Sequence, residues 1–367
     1  HGSLSKSEIA RATRLSAQTI SVIMRQLESD QLLIRGEPVR GKVGQPSVPM
    51  SLNCDGAFFL GLKIGRRSCE MVLTDFLGKI VSRHYRTYDF PMPESVLEFV
   101  SAGFEDTKER LGNNSKRIAG IGIAMPFELW SWADEVGDAA NDMGVWRDYD
   151  IRGAIGRISD WPVYLQNDAT AACGAELAFG QHGHLQDFIY FYIGTFAGGG
   201  IVLNGSLYPG RTGNAGALGS MPVPGPEGQS MQLIDQASLV VFEKELIARG
   251  VDSSPLWRVE SDWASLEADA DVWLNRAAYG LAHAIVAANA VIDFEAALID
   301  GGFPDRIRAK LLERVGNAMG ELDLQGLTAP QLLEGSLGSV ARALGGASLP
   351  LFDRYLIDQN TLMREAA

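Results

Sequence analysis

From Ala57 onward the apolar positions fall in short runs separated by tight turns. "AFFLGLKIG", "CEMVLTDF" and "KIVSRHYRTY" have strand length and are joined by turns such as "FLGK". A helical period follows over "PESVLEFVSAGFEDTKERL", then a strand, "RIAGIGIAM". The strand "WPVYLQ" leads into an alanine-rich helix, "ATAACGAELAFG". A second run opens at "DFIYFYIG", continues through "GGGIVLNGSLY", and reaches a long helix, "DVWLNRAAYGLAHAIVAANAVID", and the strand "AALIDGG". The same plan occurs twice, which predicts two α/β half-domains.

The first fifty residues follow a different rhythm. Ile9, Ala12 and Leu15 mark one short apolar helical face, and Ile20, Ile23, Met24 and Leu27 mark a second. Ser16 stands at the N-cap of that second helix, which places Ala17, Gln18, Thr19 and Ser21 opposite the core, where they reach base edges. Arg25, Arg40 and Lys42 are expected near phosphates. The segment "EPVRGKVGQPSVPMSLN" has a turn between two extended stretches, as a β wing has. A helical oligomerisation module is the bland alternative. The head resembles the winged helix-turn-helix of bacterial repressors, whose second helix enters the major groove. Such repressors carry Gly-Arg-Pro in the wing; Gln45 replaces the arginine here, so weaker discrimination for a narrow A/T-rich groove is expected. The opening "HGS" reads as an added remnant, with a short helical segment expected upstream. The predicted division is a head over 1–50 and α/β lobes over 51–180 and 181–367.

Composition changes this picture in two ways. A chain of 367 residues with 46% apolar content can bury more than one core. No leader and no run of roughly 18–20 apolar residues stands out, so a cytoplasmic protein without membrane contact is expected. Cys54, Cys69 and Cys173 lie far apart, which suits reduced thiols. The net charge of −13 argues against nucleic acid until it is divided. Residues 1–50 carry seven Lys/Arg against four Asp/Glu, a balance of +3, leaving −16 on the rest. A basic head on an acidic body suits a protein that touches DNA with one end only.

The stretches "GIGIAMP", "NDATAACGAE", "IGTFAGGGIVLNGSLYPGRTGNAGALG" and "ANAVIDFEAALIDGG" resemble the ROK family of repressors, open reading frames and sugar kinases. With the winged head in front, the resemblance is to the repressor branch. It implies two actin-like, ribonuclease-H-like lobes, a sugar and nucleotide cleft between them, and homodimers or homotetramers.

In kinases of this fold the first strand supplies an acid for a metal ion and a small-residue turn for phosphate. Here Lys63 stands at the acid position and Arg66, Arg67 and Ser68 replace the small residues. That dismantles a catalytic phosphate loop, although two arginines still attract an anion. The second turn keeps Gly194, Thr195, Gly198, Gly199 and Gly200, and Gly301-Gly302 follow "ALID"; both are taken as inherited architecture. Family kinases carry a Glu-x-x-His pair, a cysteine cluster and a further glutamate. Ala217, Ser220 and Ile234 fall at these positions, and no Cys or His occurs between Arg211 and Ser238. No zinc and no cofactor are therefore expected. Glu227 and Asp235 are candidate substitutes for sugar contacts.

What remains of the sugar site is Asn141, Asn167 and Asp168, joined by Ser220. Asp168, the remnant of the kinase base, competes with a plainer role as cap of the helix after it. Trp130, Trp132 and Trp146 are a candidate pyranose wall, with core packing the alternative; His182 and His184 read as a solvated turn. Lys63 is expected to neutralise Asp168 directly or through water, in place of magnesium. The implied function is a DNA-binding regulator that senses a sugar or sugar phosphate without phosphorylating it. A sugar kinase with a DNA-binding head and an inert dimerisation scaffold are the alternatives.

Overall fold

The computed structural model describes residues 2–38, 47–130, 143–258 and 261–356. The head begins with α1 (Lys6–Thr13), started by a capping box in which the Glu8 amide donates to Ser5 Oγ (3.3 Å) and the Ser5 amide to Glu8 Oε2 (2.7 Å). Helix α2 (Ala17–Ser29) begins at Ser16, whose Oγ accepts from the Thr19 amide (3.1 Å), so Ser16 is the cap the sequence suggested. Strands β1 (Leu33–Arg35) and β2 (Met50–Leu52) pair antiparallel, Leu33 opposite Leu52. Ile20, Met24 and Met50 form the small core, packed by Ile9, Ala10 and Leu33. The inward faces are narrower than the periodicity predicts: Ala12, Leu15 and Ile23 are exposed, because α1 is only two turns long and meets the core along its Ile9–Ala10 edge.

The first lobe is a five-stranded sheet of order β5-β4-β3-β6-β7, made by β3 (Phe58–Ile64), β4 (Ser68–Thr74), β5 (Ile80–Thr87), β6 (Ile118–Ala124) and β7 (Val163–Gln166). The hairpin partners are antiparallel and β3, β6 and β7 run parallel. Strands β3, β4 and β6 are buried throughout, as their unbroken apolar runs require. Helix α3 (Pro93–Leu111) and α4 (Ile151–Arg157) pack on this sheet. Helix α5 (Asp168–Phe179) leads to the second sheet, of order β10-β9-β8-β13-β14. Its strands are β8 (Phe188–Ile193), β9 (Ala197–Leu203), β10 (Ser206–Leu207), β13 (Ala296–Gly301) and β14 (Gln331–Glu334). The predicted run "GGGIVLNGSLY" splits into β9 and β10 at Asn204-Gly205, both at positive φ (53° and 67°), the turn geometry a two-residue hairpin needs.

A small hairpin of β11 (Pro222–Pro224) and β12 (Ser230–Gln232) precedes α6 (Ile234–Ala237) and α7 (Leu239–Ala248). The long α8 (Glu267–Ile292) and α9 (Asp305–Gly320) enclose the second core around Phe242, Trp263 and Trp273.

The last described helix, α10 (Ala341–Tyr355), returns to the first lobe. It presses so closely that a Cβ on Gly61 would lie 2.0 Å from the Ala343 carbonyl oxygen, and one on Gly122 1.9 Å from that of Gly346. The predicted lobe 181–367 therefore lends its final helix to the core of 51–180. The head sits on that same lobe: Leu32 packs with the cluster around Phe59, Asn53 Nδ2 donates to the Gln31 carbonyl (2.7 Å), and Arg117 donates to Gln31 Oε1.

Candidate functional site

Lys63 lies at the end of β3, buried at 5% exposure. Its Nζ donates to Ser68 Oγ (2.6 Å) and the Ser68 carbonyl (3.2 Å). Burial and then the Arg342 charge pull its pKa down to about 7, against the upward pull of Glu70 and Asp168. The expectation is that Lys63 neutralises Asp168 directly or through water; the direct contact is corrected here, because the cation on Asp168 is Arg342. Its NH1 donates to Asp168 Oδ2 at 3.1 Å, and its guanidinium lies 4.9 Å from the Tyr192 ring centre. Burial works against the Arg342 charge, but Tyr192 and Asp168 outweigh it and hold the pKa above the ordinary arginine range.

Asn167, Asp168 and Ser220 line one cavity of about 180 Å³, with Ala217 and Ile234 in its wall as well. Tyr192, Thr195 and Phe196 enter it from the second lobe and Arg66 from the first. The helix cap is Asn167 rather than Asp168: Asn167 Oδ1 accepts from the amides of Ala169 (3.1 Å) and Thr170 (3.2 Å). Asp168 Oδ1 accepts from the Ala169 amide (3.0 Å), which leaves Oδ2 to Arg342. Asn141 lies outside the described residues. Glu227 and Asp235 are exposed and line no part of this cavity: Glu227 sits at the β11–β12 turn, and Asp235 accepts from the Gln232 amide (3.2 Å). As substitutes for the kinase glutamates they are set aside.

The turn between β3 and β4 spans the cleft. Arg67 donates to both Glu243 carboxylate oxygens (3.0 and 2.9 Å) and stacks over Trp257, which itself donates to Glu243 (2.7 Å). Arg66 lies 4.2 Å above the Phe196 ring centre. A loop that would cradle phosphate in a kinase thus fastens the two lobes instead. A second cavity of about 90 Å³ adjoins the first across Arg66, Thr195 and Arg342, and is lined further by Lys63, Ser68, Trp257 and Gly302.

Of the retained glycines, Gly198, Gly199 and Gly200 lie within β9, outside any turn. A Cβ on Gly198 would lie 2.8 Å from Ala169 Cβ, and one on Gly200 2.5 Å from Cys173 Cβ, so these two make the seam on which α5 rests, while one on Gly199 would meet the Tyr190 carbonyl oxygen of β8 at 2.1 Å. Trp146 is core, its indole donating to the Pro91 carbonyl, and Trp130 packs at the same core's edge; Trp132 lies outside the described residues. His182 is not simply solvated: its Nε2 donates to the Glu334 carbonyl (2.9 Å), while His184 is exposed. Among the described residues no cluster of three metal-ligating side chains occurs, and no helix is long and apolar enough to cross a membrane. Cys69 and Cys173 are buried thiols and Cys54 an exposed one.

On the head, Ala17, Gln18, Thr19 and Arg25 are exposed and Ser21 is half-buried. The Thr19 hydroxyl is bonded to Ser16 Oγ (2.8 Å). Arg40, Lys42 and Gln45 fall outside the described residues.

Two helices and a hairpin in front of two sheets of one strand plan, with a polar cleft lined from both lobes, define the two-lobed α/β class shared by sugar kinases and regulators. The chain belongs to the ROK family, whose model matches residues 59–233. It is 24% identical to the xylose repressor of Caldicellulosiruptor bescii over 258 residues, 68% of this chain but only 64% of that repressor. Its fold matches the crystal structure of a ROK family transcriptional regulator, a homologue of the E. coli MLC protein, with a TM-score of 0.69 at 21% identity, covering 95% of this chain and 91% of that one. It also matches the ROK hexokinase from Thermus thermophilus, with a TM-score of 0.57 at 25% identity, over 79% and 97% of the two chains.

Proposed function

We propose that the protein is a transcriptional repressor that binds operator DNA through α2 and the β1–β2 hairpin as a homodimer or homotetramer, and whose cleft senses a sugar or sugar-derived ligand without phosphorylating it. The observation that carries the non-catalytic part is the Arg342–Asp168 ion pair. A carboxylate held by a guanidinium is a poor general base, since the cation stabilises its ionised form and occupies the oxygen that would take the proton. With Lys63 at the end of β3, the cleft also lacks the acid that would share magnesium with Asp168. Asn167, Asp168 and Ser220 line one cavity, which supports reading them as the groups that would meet sugar hydroxyls.

The xylose repressor among the relatives makes xylose the first sugar to try. The test pairs gel-shift titration on operator DNA selected from random fragments with an ATP-turnover assay on the same sugars. The expected outcome is specific DNA binding altered by a sugar that raises the melting temperature, with no turnover. The match to a hexokinase fold keeps one rival in view. Sugar-dependent turnover that vanishes in Asp168→Asn would establish the kinase reading instead.

A further inference from the structure

We propose that the effector is an anionic sugar, a phosphate monoester, whose ring lies against Asn167, Asp168 and Ser220 while its dianionic group enters the adjoining cavity between Lys63 and Arg342. This rests on the reading of the cleft as an effector site and narrows it to a ligand class.

Arg66, Thr195 and Arg342 line both cavities, so the two are neighbours and a ligand that bridges them would lie against Arg342. The smaller one is cationic beyond its own pairing. Arg67, Arg83 and Arg342 have carboxylate partners in Glu243, Glu70 and Asp168. Lys63 and Arg258 instead donate to neutral oxygens, Lys63 to Ser68 and Arg258 to Ser254 Oγ (3.2 Å). Even with Glu70 and Asp168 nearby, a buried ammonium that hydrogen-bonds only to neutral oxygens remains costly, and a ligand anion beside it lowers that cost. Arg258 is exposed but lines the same cavity, and with buried Lys63 it gives two cations, which match the double charge of a phosphate ester better than the single charge of a carboxylate.

Two donors point the same way. Arg342 Nε and the Tyr192 hydroxyl are buried without hydrogen-bond partners among the described residues, and Tyr192 is 1% exposed in the wall of the larger cavity. Buried donors are normally satisfied, and a ligand spanning the shared wall would satisfy both.

The titration of Lys63 supports this geometry. It is faced by Cys69 and Glu70 on β4, by Arg83 on β5 through Glu70, by Asp168 on α5 and by Arg342 on α10, with burial the largest influence and a resulting pKa of about 7. An anion beside it favours the protonated form, so binding takes up a proton above that pH. Affinity should then fall about tenfold per pH unit above neutrality.

Sulfate is the probe, because it stays dianionic throughout. Calorimetric titration of the full chain between about pH 6.5 and 9 should show one sulfate per chain, weakening about tenfold per unit above pH 7. Lys63→Met, which fills the same buried space without charge, should weaken sulfate at least tenfold. Lys63→Arg should bind it with a flat pH profile. Equal sulfate binding and equal pH profiles in the native chain and Lys63→Met would overturn the inference.

A second arm titrates pentoses and hexoses as neutral sugars, uronates and phosphate esters. The expected result is a phosphate ester at least tenfold tighter than its neutral or uronate counterpart, displacing sulfate. A neutral sugar that binds equally well to Lys63→Met and under saturating sulfate would overturn this inference and leave the effector reading standing. A uronate that outcompetes every phosphate ester would overturn the phosphate assignment. Sulfate binding with no sugar of any class would overturn the effector reading itself.

Discussion

Burial pulls the Lys63 pKa down to about 7, which makes this side chain a lever on stability as well as on binding. Its folded pKa of about 7 lies below the 10.5 of an unhindered lysine. Below pH 7 both folded and unfolded states hold the proton, and the cost of burying the charge is fully present. Between those values the unfolded state holds more protons, so stability rises with pH, by at most about 1.4 kcal/mol per unit, and levels off above the upper value. Urea unfolding at pH 6.5 and 9 should show this gain in the native chain and a smaller one in Lys63→Met; equal gains would mean that Lys63 is not the group titrating. The Arg342–Asp168 pair makes a separate prediction. Arg342→Met or Asp168→Asn alone strands a mostly buried charge and should cost about 2–4 kcal/mol, while the double substitution should cost at least about 1 kcal/mol less than their sum. Strict additivity in thermal or urea unfolding would sink the pairing. Half of this site could be read from the sequence. Asn167, Asp168, Ser220 and the altered β3–β4 turn sit in local motifs with fixed spacing. Arg342 could not be read, since it meets Asp168 across 174 residues from a helix without a motif of its own.

At the scale of elements, α10 holds the cleft together by close approach rather than by large apolar side chains. It rests on β3 at Gly61 and on β6 at Gly122, and it carries Arg342 to Asp168. Gly122→Ala would drive a methyl group into the Gly346 carbonyl, where backbone must move, and should destabilise by about 1–3 kcal/mol or more. Gly156→Ala, in α4 with nothing within 4 Å of the added methyl, should be neutral or stabilising by up to about 1 kcal/mol. Equal melting temperatures for the two variants would contradict the seam. The strands of both sheets were legible because fully buried strands require unbroken apolar runs bounded by turns. Helix α10 was not: its closest contacts are made by the small residues Ala343, Gly345, Gly346 and Ala347, it contains Pro350, and its partner sheet lies in the other half of the chain. The β11–β12 hairpin belongs to the segment without Cys or His, so protein purified without a histidine tag should hold well under one zinc per chain. One tightly bound ion by metal analysis would refute that.

For the whole molecule the question is how the cleft addresses the head. The head rests on the first lobe through Leu32, Gln31 and Asn53, so whatever fixes the lobes relative to one another also sets where α2 points in an oligomer. Removing residues 1–50 should abolish DNA binding, and in the full chain log affinity should fall steeply with log salt as counterions are released. The lobes are fastened across the cleft by Arg67 on Glu243, backed by Trp257. Arg67 is 46% exposed, so the pair is worth only about 1 kcal/mol, or roughly a fivefold shift between a fastened and an unfastened arrangement. That is enough to read out. A two-state coupling requires that a change in this equilibrium alter DNA affinity and effector affinity together, because each ligand favours one arrangement. Arg67→Ala and Glu243→Gln should therefore move both affinities by up to about fivefold, in opposite directions if the effector releases DNA and in the same direction if it promotes binding. Folded variants in which neither affinity moves would mean that the Arg67–Glu243 contact persists in both arrangements, and the coupling would have to run through another contact between the lobes.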